Sequence, residues 1–136
     1  MQLPGHNGVW PRSETFVVDC RHPASLARFW SAALEAYQVA PYDEKELRRL
    51  KGLGIDGPED DPTVLVEPSS GSGPRFCFQL VPEPKTAKNR VHLDLQCDNP
   101  GAEIARLTEL GAEFLAEHEK LIVLADPEGN EFCLLR

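Results

Sequence analysis

The chain lacks any apolar run approaching the ~18 residues that a membrane-spanning helix needs. Its opening, MQLPGHNGVWPR, has neither the basic region nor the apolar region of a secretory signal. Together these absences predict a cytoplasmic protein with no membrane partner. Positive charge is scarce too: 14 Lys and Arg stand against 22 Asp and Glu, a formal net charge of -8. Bases cluster only at Arg48, Arg49 and Lys51 and at Lys85, Lys88 and Arg90, so the overall field repels a phosphate backbone and nucleic acid is excluded as a partner. Such acidity suits solubility first and a cationic ligand second. None of the four cysteines, Cys20, Cys77, Cys97 and Cys133, forms a C-x-x-C pair, and each sits in an apolar or alternating segment. That spacing argues against a zinc knuckle or a disulfide framework and for small buried hydrophobes in a reducing compartment.

What is present is an ordinary globular composition, 41% hydrophobic and 26% charged, in 136 residues, which suits one compact domain. Residues 1–12, with two prolines and two glycines and no periodicity, read as a loosely held arm. Thr15 to Cys20 is β-branched and aromatic and reads as a strand. Pro23 then opens a helix to about Ala36, with an apolar face of Leu26, Phe29, Trp30, Ala33 and Leu34. His22 is the residue at that helix's entry, and Phe29 and Trp30 read as core. Tyr37 to Ala40 is a short strand, and Asp43 to Lys51 is a helix that opens with acids and closes with bases, as the helix dipole favours. After a loop at 52–62, Thr63 to Glu67 and Arg75 to Val81 read as strands joined by the turn SSGSGP.

The order then repeats. Val91 to Cys97 reads as a strand, and a helix from about Pro100 has the apolar face Ile104, Leu107 and Leu110 and stops at Gly111. Strands are expected at Glu113 to Ala116, Leu121 to Leu124 and Glu131 to Leu135, the last two joined by Asp126-Pro127-Glu128-Gly129-Asn130. Asp19-Cys20-Arg21-His22-Pro23 matches Gln96-Cys97-Asp98-Asn99-Pro100, so the chain reads as two βαβββ modules in tandem. The expected division is a first module at 13–84, with an insertion at about 41–62, and a second at 85–136, together one domain. His92 is the one histidine of four that this reading sets on a well-defined strand, which makes it the leading candidate for chemistry.

Val17-Val18-Asp19-Cys20 before a helix with Phe29-Trp30, then Asn89-Arg90-Val91-His92-Leu93-Asp94-Leu95, Leu110-Gly111-Ala112 and D-P-x-G-N before a terminal apolar strand carry a resemblance. From about Thr15 to Arg136 the chain resembles the vicinal oxygen chelate superfamily, that of glyoxalases, bleomycin-resistance proteins and extradiol dioxygenases, and in particular its small glyoxalase-like actinobacterial members. The resemblance implies an α+β fold whose two modules form a curled mixed-sheet cup. It also implies four metal-ligand positions, on the first and last strand of each module. These fall on Thr15, Gln79, His92 and Cys133. His92 and Gln79 match the superfamily's usual ligand types; Thr15 and Cys133 do not, and Glu131 shares a strand face with Cys133 and is a further candidate.

An open catalytic metal site generally takes three or more protein donors, so this ligand set is incomplete. The expected function is therefore a glyoxalase-like protein binding a small molecule in the cup, with no cofactor assured and no catalytic residue assigned. Two alternatives remain open: a lyase, isomerase or dioxygenase dependent on Zn, Ni, Mn or Fe, and a drug-binding protein of bleomycin-resistance type for a cationic ligand. Aromatic and acidic residues lining the cup favour a binder. A close cluster of His92 with Gln79 and a carboxylate favours an enzyme. Members of the superfamily often exchange modules between partners, which implies a homodimer.

Overall fold

The computed structural model describes residues 11–136. The arm expected at 1–12 lies almost wholly outside the described residues. From there the chain runs β1 (Thr15–Cys20), α1 (Pro23–Ala33), β2 (Tyr37–Val39), α2 (Glu44–Gly52), a 3-10 turn (Pro58–Asp60), β3 (Thr63–Pro68) and β4 (Arg75–Leu80). The second half runs β5 (Asp94–Gln96), α3 (Pro100–Leu110), β6 (Glu113–Glu117), β7 (Leu121–Ala125) and β8 (Glu131–Leu135).

The sheets show the tandem repeat directly. One has strand order β1-β4-β3-β2 and the other β5-β8-β7-β6, and they do not close into a barrel. In each, the strand that opens the unit pairs parallel with the strand that ends it, β1 with β4 and β5 with β8, while the remaining pairs are antiparallel. Each crossover helix is 11 residues long and starts on a proline, Pro23 or Pro100, whose missing N–H costs nothing in a first turn. The α3 helix is capped at Asn99, which accepts from the Ala102 N–H at 3.1 Å, and stops at Gly111, whose φ of 119° is left-handed. The α2 helix is capped by Asp43, which accepts from the Glu46 N–H at 2.9 Å.

Both halves share one core. The α1 helix buries Leu26, Ala27, Phe29 and Trp30 against β3 and β4 residues Val64, Val66, Phe76 and Phe78, and the same cluster continues into Leu107, Ile122, Leu124, Phe132 and Leu134. At the junction the Trp30 ring meets Phe29 and Phe132 edge-on, with centroids 5.3 and 5.0 Å away.

Two local expectations change. The α1 helix ends at Ala33 rather than Ala36, because Leu34 is already extended (ψ 136°) and Ala36 turns left-handed (φ 58°) to feed β2. The strand expected at Val91 to Cys97 is regular only over Asp94–Gln96, so His92 stands just ahead of it rather than on it. Continuing the parallel register, in which Asp94 faces Cys133, would set Val91 opposite Asn130. The Cys133 N–H still reaches the Leu93 carbonyl at 2.9 Å, and the regular ladder goes no further back.

Candidate functional site

The free edge of β1 and the irregular segment at 89–93 bound a cavity of about 490 Å³ with contributions from both halves of the chain. Its walls are Phe16–Asp19, Trp30, Phe76 and Phe78 on one side and residues 89–93, Asp126 and residues 130–132 on the other. Strand alternation supplies the apolar part: Phe16 stacks on Phe76, centroids 5.7 Å apart, and Phe78 lies two residues further along β4.

Three carboxylates and one guanidinium, Arg90, line this space. Asp126 is buried, and its oxygens accept from the Trp30 indole N–H at 3.0 Å, from the backbone N–H groups of Glu128 and Asn130 at 2.9 and 3.0 Å, and from the Asn130 amide. The D-P-x-G-N turn thus has a structural job, to fold on its own aspartate and hold Trp30 in place. Glu131 accepts from the Asn89 N–H at 3.0 Å and from Lys85 Nζ at 3.2 Å. Burial pushes its carboxyl pKa up, but the Asn89 and Glu131 amides and Lys85 outweigh that and hold it at about 2. Asp19 accepts from the neutral Gln79 amide at 2.9 Å, so its charge is uncompensated by that bond.

His92, which lines the cavity, brings a donor atom within 4.8 Å of one each from Asp94 and Cys133, themselves as close to one another. Their convergence follows from the sheet: Asp94 and Cys133 are directly opposite in the β5–β8 register, and His92 Nε2 lies 3.2 Å from Asp94 Oδ1. Burial and then the neighbouring Asp94 carboxylate raise the Cys133 thiol pKa. A nucleophilic cysteine needs the opposite shift, so this thiol is not poised for attack. Cys20 is more inert still, pushed up to about 12 by burial and by the Glu128 charge.

Two other sequence candidates are engaged in the first sheet. Gln79 is bonded to Asp19, and the Thr15 hydroxyl accepts from Arg75 at 3.3 Å. Glu131 shares the strand face of Cys133, but its carboxylate is taken by Lys85 and Asn89. Asp94 is the residue that the ligand count passed over; its signal was the H-x-D spacing, which keeps His92 and Asp94 on one side of the extended chain.

Whether a metal fits can be judged from donor chemistry. An imidazole, a carboxylate and a thiol within 4.8 Å suit a zinc-type site with three protein donors and one open position, once the thiol has lost its proton. All three come from the second half of the chain.

Fold and site define a class: an α+β protein of paired βαβββ modules, not closed into a barrel, with a cavity between the modules. The family model of the Glyoxalase-like domain matches residues 15–135, so the chain belongs to that family and to the vicinal oxygen chelate superfamily. A hypothetical protein of S. aureus, SA1046, is similar at a TM-score of 0.61 and 12% identity, covering 94% of this chain and 95% of that one. A glyoxalase/bleomycin resistance protein/dioxygenase family enzyme of Burkholderia phytofirmans is similar at a TM-score of 0.60 and 13% identity over 89% and 94%. The trypanothione-dependent glyoxalase I of Leishmania major is similar at a TM-score of 0.58 and 15% identity over 93% and 87%. At such identities these likenesses show the fold. No curated protein matches the chain.

Proposed function

We propose that the protein binds a small molecule with an apolar, ring-bearing body and a positive charge in the cavity between its modules. The observation that supports this is the lining: it includes the rings of Phe16, Trp30, Phe76 and Phe78, of which Phe16 is exposed, and Asp19 and Asp126 outweigh Arg90 once Glu131 is set against Lys85. A cation over an aromatic face gains ~0.5–2 kcal/mol, more as water is excluded, and pockets of ~300–1,000 Å³ are the usual size for small ligands. The reading extends to a cytoplasmic location, consistent with four free thiols, and to a homodimer, for which sedimentation velocity is the test. The test of ligand class is a matched pair of probes, naphthyltrimethylammonium and naphthalenesulfonate, followed by Trp30 fluorescence in a Trp10→Phe background. The cation should bind at least tenfold more tightly, and Asp19→Asn should narrow the gap. Equal binding, or preference for the anion, would sink the proposal.

A second reading is favoured by the closeness of His92, Asp94 and Cys133: a divalent metal held by these three, as glyoxalase-type lyases, isomerases or dioxygenases require. Such an ion would supply a Lewis acid to polarise a ligand oxygen at the cavity edge. A thiol and an imidazole favour Zn, Ni or Fe over Mn. Metal content after chelator-free purification, with titration into wild type and His92→Ala, tests it. Stoichiometric metal lost in the variant supports the site, and no metal under any condition removes the reading.

A further inference from the structure

Between β4 and β5 the chain runs through residues 81–93 with no regular structure, yet residues 89–93 form one wall of the cavity. An irregular segment keeps its shape only through specific bonds to the body of the protein. At its start, the Val81 N–H donates to the Cys20 carbonyl at 2.9 Å and Arg21 donates to the Pro82 carbonyl at 3.4 Å. At its end, the Cys133 N–H donates to the Leu93 carbonyl at 2.9 Å. Between these ties, Glu131 takes Lys85 Nζ on one carboxylate oxygen at 3.2 Å and the Asn89 N–H on the other at 3.0 Å. Lys85 also donates to the Ala87 carbonyl, so the bracket closes on itself. The pair is sheltered, with side chains 23% and 18% exposed for Lys85 and Glu131, so water competes for it less than for a surface ion pair.

We infer that Glu131 is the positioning residue of this site: by holding Lys85 and Asn89 it sets the wall that carries Asn89–Leu93, and with it the placement of His92 at the cavity edge. The inference rests on the cavity being the ligand site. It assigns Glu131 a role other than ligand, since both of its oxygens face the segment rather than an open coordination position. Glu131 can do this because it begins β8, where its backbone is fixed by pairing with Ala125 and by the folded Asp126–Asn130 turn.

The test combines amide hydrogen exchange with binding of naphthyltrimethylammonium in wild type, Glu131→Ala, Glu131→Gln and Lys85→Ala. In Glu131→Ala, amides in 85–93 should exchange at least tenfold faster while those of Ile122 and Leu134 are unchanged, and the probe should dissociate at least fivefold faster. Glu131→Gln keeps an acceptor for Asn89 and should fall between, as should Lys85→Ala. Unchanged exchange in 85–93, or acceleration spread equally through the core strands, overturns the inference. Should wild type fail to bind the probe, the ligand proposal falls by itself, and the exchange pattern still decides whether Glu131 holds the segment.

Discussion

The α1 helix has no acid in its first turn and no base in its last, yet both ends are charge-capped from the other half of the chain. Glu128, in the β7–β8 turn, accepts from the backbone N–H groups of Arg21 and His22 at 2.7 and 3.0 Å. Arg106 of α3 donates to the Ala32 and Ala33 carbonyls at 2.8 and 3.1 Å, steadied by its pair with Glu103. An anion at the N-terminal end and a cation at the C-terminal end both favour the helix dipole. Replacing Glu128 by Ala removes a cap of ~1 kcal/mol and a dipole term of ~0.5 kcal/mol. Water can reach the freed N–H groups, so no full burial penalty is added. The expected loss is ~1.5 kcal/mol, a fall in Tm of ~6 °C for a chain of this size. Glu128→Gln keeps one carbonyl acceptor and should lose about half as much, and Arg106→Ala ~1 kcal/mol. The two caps are an 11-residue helix apart, ~16 Å, so the losses should add. Urea unfolding followed by circular dichroism measures all three and the double variant. A loss under ~0.5 kcal/mol in Glu128→Ala, outside the range expected of a cap, would refute the reasoning.

Other outcomes follow from the same contacts. Gly111→Ala should lose ~1–3 kcal/mol, because φ is 119° and an added Cβ would stand 3.1 Å from Pro127 Cγ, and thermal melting reads the loss. Glu131, depressed from 4.5 to about 2, contributes stability that is present above its unfolded pKa and lost as pH falls through that window. The stability of Glu131→Gln should therefore fall less steeply between those pH values, by up to one proton's worth of slope, as acid titration of ΔG will show. Iodoacetamide at pH 8 should label half-buried Cys77 and Cys97 before buried Cys20 and Cys133, which react only on unfolding; mass mapping that finds Cys20 labelled first would contradict the packing.

Much of the fold was legible because its signals are local or periodic. Pro23 and Pro100 mark helix starts, Gly111 a helix end, and the run from Glu131 to Leu135 is a strand with the bounds expected of it. Where the reading erred, a distant partner overrode a local preference. Val91 and His92 have the alternation of a strand, but the regular pairing with β8 begins only at Asp94. The Leu34 and Ala36 turn was invisible because Ala36 adopts a left-handed conformation without being glycine. Of the candidate ligands, the sequence favoured His92 and Gln79; the structure sets His92 beside Asp94 and Cys133, which the β5–β8 register places opposite each other, and leaves Gln79 bonded to Asp19.

By itself, the sequence determined the class of fold, the tandem repeat and the order of elements, since each rests on apolar periodicity, caps and turn residues that a short window contains. Only the tertiary structure decided which side chains hold the halves and the cavity together. Glu128 reaches backbone 107 and 106 positions away, Arg106 reaches backbone 74 and 73 away, and Glu131 reaches the Lys85 side chain 46 away and the Asn89 backbone 42 away. A charged side chain bonded to a distant backbone group leaves no period and no spacing in the chain, because its partner is chosen by the packing of sheets and helices rather than by its neighbours in sequence.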